Sequence, residues 1–259
     1  MRTLTADSLA IEIHPDRAAM GAAAARCAAD SLRATLARQP SARIIVASAP
    51  SQNEMLTCLG AAPDIDWRRV TIFHMDEYAG LSAAHPASFR AYQKQHLLAV
   101  VQPRIFHGIR GEAENLDGEI SRYSNLLNEG PIDLVCMGIG ENGHIAFNDP
   151  PVADFADPLL IKRVALDEAC RRQQVNDGCF PDLNAVPKEA LTLTCPVLMG
   201  GKHLVCTVPG PRKAAAVRAT VQDPISTACP ATILRTHPHA IVFLDEAAAA
   251  DLRPPQDSA

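Results

Sequence analysis

Ile132-Asp-Leu-Val-Cys-Met137 runs straight into Gly138-Ile-Gly-Glu-Asn-Gly143 and then His144-Ile-Ala-Phe-Asn-Asp149, and this stretch decides the fold. A short apolar run that stops at a glycine-rich turn is too brief for a core helix and reads as a buried strand. The same signature recurs on both sides of it. Arg43-Ile-Ile-Val-Ala47 and Val70-Thr-Ile-Phe-His74 precede it, and Leu191-Thr-Leu-Thr194, Leu204-Val-Cys-Thr-Val208 and Ala240-Ile-Val-Phe-Leu244 follow. Between these runs lie helical patterns over residues 15–38, 87–100, 112–129 and 211–221, with a short helix expected after Ala49-Pro-Ser-Gln52. Continuous apolar strands alternating with helices predict an α/β fold: a doubly wound, mostly parallel sheet with helices on both faces, Rossmann-like. One domain over residues 1–259 is the simplest account, with the tail Arg253–Ala259 frayed.

Composition narrows the function classes. The 259 residues are 47% hydrophobic and 20% charged, with 24 Lys and Arg against 29 Asp and Glu for a net charge of −5. That balance predicts no nucleic-acid partner and no membrane surface. No stretch reaches the ~18 apolar residues of a membrane helix, and nothing near the start resembles a signal peptide, so the expectation is cytoplasmic. None of the eight cysteines forms a C-x-x-C pair. They read as free, mostly buried thiols, with no disulfide framework and no zinc site expected.

In an open α/β sheet, ligands bind outside the carboxyl ends of the strands. Three such ends carry polar or glycine-rich segments: Ser48–Gln52, His74–Tyr78 and Gly138–Asp149. The G-x-G-x-x-G of the last is no dinucleotide fingerprint, because it falls mid-chain and runs into Pro150 and Pro151 instead of opening a helix. It reads as a tight turn in which Gly140 lets a small ligand approach the backbone. His144, flanked by Asn142 and Asp149, is placed to move protons near neutral pH. Asp76 and Glu77 are adjacent at a strand end, so their side chains point opposite ways and one faces the ligand more directly; Asp76 is the catalytic candidate and Glu77 is kept as a substrate-binding one. A carboxylate there suits the removal of a proton from carbon, and His74 shares the strand face of Asp76. Ser48, Ala49, Ser51 and Gln52 form a turn at a helix N-terminus, a cradle for a phosphate that Pro50 weakens by one amide. Lys213, at a second strand-to-helix junction, could meet the same anion. For Arg171 and Arg172 a solvated helix face is the default.

Taken together, the motifs resemble the glucosamine-6-phosphate deaminase (isomerase) family. The resemblance rests on Phe73-His-Met-Asp-Glu-Tyr-Ala-Gly-Leu81, His85-Pro-Ala-Ser-Phe89 and Gly138–Pro150, with weaker matches at Val186–Thr192, Gly210-Pro-Arg-Lys213 and His237–Ala240. It implies isomerisation of an aldose to a ketose with loss of ammonia, on a phosphorylated amino sugar, with no metal or organic cofactor. His144 would open the sugar ring, and Asp76 would carry the proton from C2 to C1. Ser48, its turn and Lys213 would hold the phosphate; Arg172 is the best match for the phosphate arginine and Gln174 its rival. A homo-oligomer is compatible with the family, whose members differ in assembly.

The sequence also departs from the pattern. Asn142 stands where the family commonly has Asp, and an amide orients an imidazole without stabilising its charged form. Asp149 stands where a Glu is usual; being one methylene shorter, it would need a backbone adjustment to reach His144. Pro150, Pro151 and Val152 replace hydroxyl residues used for activation in some members, so no such activation is expected. Two alternatives stay open: a 6-phosphogluconolactonase-like hydrolase, which shares the glycine turn, and a non-catalytic sugar-phosphate sensor.

Overall fold

The computed structural model describes residues 1–252; the tail expected to fray, Arg253–Ala259, lies outside them. An N-terminal hairpin, β1 (Arg2–Ala6) and β2 (Leu9–His14), leads into the long helix α1 (Arg17–Arg38). Then come β3 (Ala42–Val46), α2 (Asn53–Gly60), β4 (Val70–His74), β5 (Asp76–Tyr78), α3 (Phe89–Gln93), β6 (Ile105–His107), α4 (Leu116–Asn128) and β7 (Leu134–Met137). The last part holds β8 (Ile161–Ala165), α5 (Glu168–Asn176), β9 (Glu189–Leu193), α6 (Cys195–Met199), β10 (His203–Val208), α7 (Ala214–Gln222) and β11 (Ala240–Asp245).

Eight strands form one sheet in the order β1-β2-β11-β10-β7-β3-β4-β6. Only the β1–β2 pair is antiparallel; the other six pairings are parallel. Apolar side chains alternate between two cores, as the two-residue period of a strand requires. Ile44, Ile72, Leu134, Val205 and Phe243 pack under α1 and α2, whereas Ile45, Phe73, Val135, Leu204 and Val242 pack under α4, α6 and α7. Helix α1 begins at Asp16, whose side chain caps the amide of Ala19 at 2.8 Å. The alanine stripe of α1 (Ala24, Ala25, Ala28 and Ala29) is buried against the sheet.

The expected parallel architecture holds for the main sheet but not for Leu191–Thr194. That run belongs to β9, the centre of a separate antiparallel sheet of order β5-β9-β8. Its own small core of Tyr78, Phe89, Phe147, Phe180 and Val186 lies apart from the two main cores. β1, β2, β6 and β8 are further strands for which short or alternating sequence gave no clear apolar run.

The chain reverses its order beside β3. β4 and β6 add on one side, then β7 returns to the other and is followed outward by β10 and β11. Helices following β3 and β7 therefore diverge, and a crevice opens at their carboxyl ends. At the end of β4 the chain breaks at Met75, whose carbonyl accepts from Leu193 N at 2.8 Å, and Asp76 starts the second sheet.

His74 closes β4 in the core. It is fully buried, its Nε2 accepts from Ile109 N at 2.7 Å, and it lies outside the crevice, which removes it from the candidate chemistry. Burial, with Arg90 nearby, holds its pKa down at about 3 against an ordinary 6.5. Below pH 6.5 the unfolded chain therefore takes up a proton that the folded one refuses. Stability from this group is complete above pH 6.5 and falls toward pH 3 by ~1.4 kcal/mol per pH unit. His74→Gln, which keeps an acceptor for Ile109, should flatten that difference when urea unfolding of the two proteins is compared across the interval.

Candidate active site

The crevice is lined by Ser48, Ala49, Ser51 and Gln52 beyond β3, by Met75 and Asp76 beyond β4, and by Gly138, Gly140 and His144 beyond β7. Ala146, Phe147, Gln173, Gln174 and Lys213 line it too, with Ala47, Phe89 and Ile139. Three segments singled out from sequence thus meet in one place.

The turn after β7 is built around an imidazole. Gly140 N donates to His144 O at 2.9 Å and Gly143 N to Gly140 O at 3.0 Å, which curls the chain back on itself. A Cβ on Gly140 would stand 2.2–2.3 Å from the His144 ring, so only glycine lets the ring lie there. Gly143 has φ +83°, a left-handed conformation that glycine takes without strain. His144 Nδ1 lies 2.8 Å from Asn142 Oδ1 and 2.9 Å from Asp149 Oδ1. Both are acceptors, so Nδ1 carries the proton and Nε2 of the neutral ring keeps its lone pair. Asn142 Nδ2 in turn donates to Asp149 Oδ1 at 3.0 Å. Asp149 therefore reaches His144 despite its short side chain. The backbone adjustment is visible between them: Ala146 sits at φ +48° and Asn148 N closes on Ile145 O at 3.1 Å. Phe147 N donates to Thr192 Oγ1 at 3.0 Å, tying this loop to β9 opposite Asp76.

Two buried carboxylates are held in opposite states. Burial, reinforced by neighbouring Glu77, pushes Asp76 well above the ordinary carboxylate range. Burial acts on Asp149 too, but the hydrogen bond and charge of His144, helped by Asn142 and the backbone of Asp167, hold it below its ordinary value. A carboxyl that readily takes a proton thus shares the crevice with an imidazole backed by an ionised carboxylate.

The Ser48 turn is pinned from behind. Gln93 Nε2 donates to Ser48 Oγ at 2.9 Å and to Ala47 O at 2.8 Å, leaving the Ser48 hydroxyl hydrogen for a ligand. Tyr92 OH donates to Ala49 O at 2.7 Å, and Arg17 Nη2 to Pro50 O at 2.8 Å. Gln52 is fully buried, and its Oε1 has no partner among the described residues. Lys213 is 7% exposed; burial lowers its pKa against the opposing pull of Asp177 and Glu141.

Two sequence expectations are corrected. Glu77 does not line the crevice: it is fully buried and accepts from Ser88 Oγ at 2.9 Å and from Phe89 N and Arg90 N at 3.1 Å, so it anchors the start of α3. Arg172 is exposed, paired with Glu168 on the outer face of α5. The next two residues turn inward: Gln174, its rival, lines the crevice beside Gln173, whose Oε1 accepts from Glu141 N at 2.8 Å. Gln173, Gln93 and Tyr92 were not singled out from sequence. The one available signal was a pair of uncharged glutamines following two arginines on a helix.

A second hollow, between Gly111–Asp117, Arg163 and Glu189, is lined by solvated carboxylates and contains neither the histidine nor the buried lysine. Gly140→Ala should push the imidazole off its seat and destabilise the fold by about 1–3 kcal/mol, the usual cost of overpacking. Thermal unfolding, together with the histidine ring resonances, would measure both.

Residues 15–154 match the family described as glucosamine-6-phosphate isomerases/6-phosphogluconolactonase. A glucosamine-6-phosphate deaminase of Streptomyces avermitilis is 34% identical over 231 residues, 87% of each chain. One of Exiguobacterium sibiricum is 38% identical over 185 residues, 71% of each. Among solved structures, a monomeric glucosamine-6-phosphate deaminase superposes with a TM-score of 0.85 at 29% identity, covering 93% of this chain and 99% of that one. A 6-phosphogluconolactonase from Shewanella baltica gives 0.73 at 18% identity over 91% and 97%, which speaks to the fold alone.

Proposed function

The chain belongs to the family of glucosamine-6-phosphate isomerases and 6-phosphogluconolactonases, and we propose that it is a glucosamine-6-phosphate deaminase, converting that sugar and water to fructose 6-phosphate and ammonia. One observation carries the reading: Asp76, His144 and Lys213 line a single crevice, with the Ser48 turn beside them. The named deaminases that resemble the chain over most of its length support it.

The phosphate lies in the turn from Ser48 to Gln52, where Lys213 supplies the positive charge and Gln174 a hydrogen-bonding amide. Anchoring this remote group uses binding energy to orient the reacting carbons. His144 acts first. Its Nε2 takes the proton of the anomeric hydroxyl and returns one to the ring oxygen, opening the ring. The charge that the imidazole carries in between is balanced by Asp149 through Nδ1, which answers the loss of an acid at Asn142. Asp76 then removes the proton from C2 of the open chain and delivers it to C1. The enolamine becomes a ketimine, and water hydrolyses it to the ketone and ammonia. Ala146 and Phe147 keep the wall beside the reacting carbons apolar. A phosphorylated sugar does not cross a bilayer freely, which is the reason for placing the enzyme in the cytoplasm. No helix of the described residues is long and apolar enough to cross a membrane.

Incubation with glucosamine 6-phosphate should release ammonia and fructose 6-phosphate in equal amounts, with 6-phosphogluconolactone turned over far more slowly. Lactone hydrolysis without ammonia would make the chain a lactonase. Ligand-induced thermal stabilisation with no turnover of either would make it a sensor.

Asp76→Asn should lower kcat by ~10³-fold or more, since it removes the group that moves the carbon-bound proton. In the unaltered enzyme Asp76 must be ionised to act, and its pKa is raised. kcat/KM should therefore climb with pH through a limb lying above the ordinary Asp value of about 3.9. Ammonia release that survives in Asp76→Asn would remove this role.

For His144→Gln, kcat should fall by roughly 10²–10⁴ with KM little changed, because the ring is asked for proton transfer and not for affinity. Steady-state kinetics with the open-chain step followed separately would test this, and a rise in KM alone would make His144 a binding residue.

A further inference from the structure

Cys170 was read from sequence as one more buried thiol. The fold brings it from α5 to the back of the crevice, against the pair that orients the imidazole. One donor atom each from His144, Asp149 and Cys170 lies within 4.8 Å of the other two. The residues are 7%, 0% and 1% exposed, so all three are shielded, and of the three His144 alone lines the crevice.

A second feature points to an unmet partner at the same spot. Asp149 Oδ1 is occupied by His144 and Asn142, whereas Oδ2 is buried without a well-formed hydrogen bond among the described residues, the Asp167 backbone and the Cys170 thiol lying against the carboxylate. A carboxylate oxygen sealed from water without a well-formed hydrogen bond costs free energy, and a cation would relieve it.

We propose that His144, Asp149 and Cys170 form a three-ligand site for a borderline-soft divalent cation of the zinc type. The donor chemistry selects that class. Nitrogen, carboxylate oxygen and thiolate sulfur suit Zn²⁺ or Co²⁺, whereas Ca²⁺ and Mg²⁺ demand shells of oxygen. Bonds of about 2.0–2.3 Å to a tetrahedral ion place donors roughly 3.3–3.7 Å apart. The longest separation would close by about 1 Å, and His144 Nδ1 and Asp149 Oδ1, now 2.9 Å apart, would part slightly to admit the ion, both within reach of small side-chain rotations. A water would fill the fourth position, as at other three-ligand zinc sites.

The proton balance is simple. Without metal Cys170 is a thiol, and its sulfur must lose its proton to become a ligand. Binding releases that one proton to solvent. The imidazole stays neutral: the metal takes Nδ1, and the ring proton relocates to Nε2. Asn142 and Asp149 thereby lose the Nδ1 proton they share, and Nε2 loses the lone pair that accepts from substrate. The cation is thus an inhibitor of the centre and not its cofactor. The binding stands on its own; only the inhibition rests on the proposed reaction.

Cobalt(II), added to the purified full chain without substrate, is the probe. One equivalent should produce a thiolate-to-cobalt charge-transfer band, with the dissociation constant rising at least ~100-fold in Cys170→Ser and about tenfold or more in Asp149→Asn. No band at all, or a band unchanged in Cys170→Ser and so arising from another of the seven cysteines, would overturn the site. Should Cys170→Ser fail to fold, cadmium NMR of the unaltered protein decides: a shift typical of one sulfur ligand supports the proposal, and one typical of oxygen and nitrogen alone defeats it. Zn²⁺ should also suppress ammonia release and a chelator restore it. Because the cobalt spectrum needs no turnover, an inactive protein that still shows the band would refute the reaction and leave the metal site intact.

Discussion

One imidazole edge organises the crevice. His144 Nδ1 faces the oxygens of Asn142 and Asp149 at 2.8 and 2.9 Å, and the ring rests on Gly140, where no side chain could fit. Fixing Nδ1 decides which nitrogen is left toward the ligand, since a neutral imidazole has one donor and one acceptor. The turn exists to serve that geometry. Gly143 bends it, Ala146 accepts a left-handed conformation to bring Asp149 round, and Thr192 ties it to the strand that carries Asp76. A strained residue beside a reacting group, stabilised by the packing around it, is a common feature of functional sites.

The electrostatics follow from the same packing. Asp76 and Asp149 are both buried, yet one is pushed up and the other held down. The difference is the partner. For Asp76 the charge that counts is that of Glu77, and like charge adds to the cost of burial. Asp149 has an imidazole and an amide. Two carboxyls driven apart in this way can divide acid and base work at a single pH. The orphaned Oδ2 of Asp149, beside Cys170, is the price of that arrangement, and it is what makes the pocket receptive to a cation.

Some of this was legible in the sequence because burial leaves a mark on composition. The runs ending at Met137, Val46 and His74 are mainly apolar, as strands covered on both faces are, and the polar segments that follow them announced the crevice. What failed, failed for physical reasons. Leu191–Thr194 looks like another parallel strand because a run of apolar and threonine residues does not say which sheet it joins. Glu77 is chemically indistinguishable from a ligand-facing acid until Ser88 and the α3 amides are seen to satisfy it. Arg172 drew attention by its charge, but a helix turns about 100° per residue, and that rotation puts Arg172 in solvent and Gln174 in the crevice.

By itself the sequence determined the alternation of strands and helices, the three polar strand ends, and the residues able to exchange protons or hold an anion. These are local: they depend on which side chains follow one another and on the periods of helix and strand. Tertiary structure alone decided that the strand order reverses beside β3, so that those ends converge. It decided too that Asp149 reaches His144, that Glu77 faces away, and that Cys170 arrives from elsewhere to meet them both. The convergence of the strand ends and the meeting of Cys170 with His144 join residues far apart in the chain, and the nearer contacts turn on loop conformations; all are set by packing around the crevice, which no spacing along the sequence encodes.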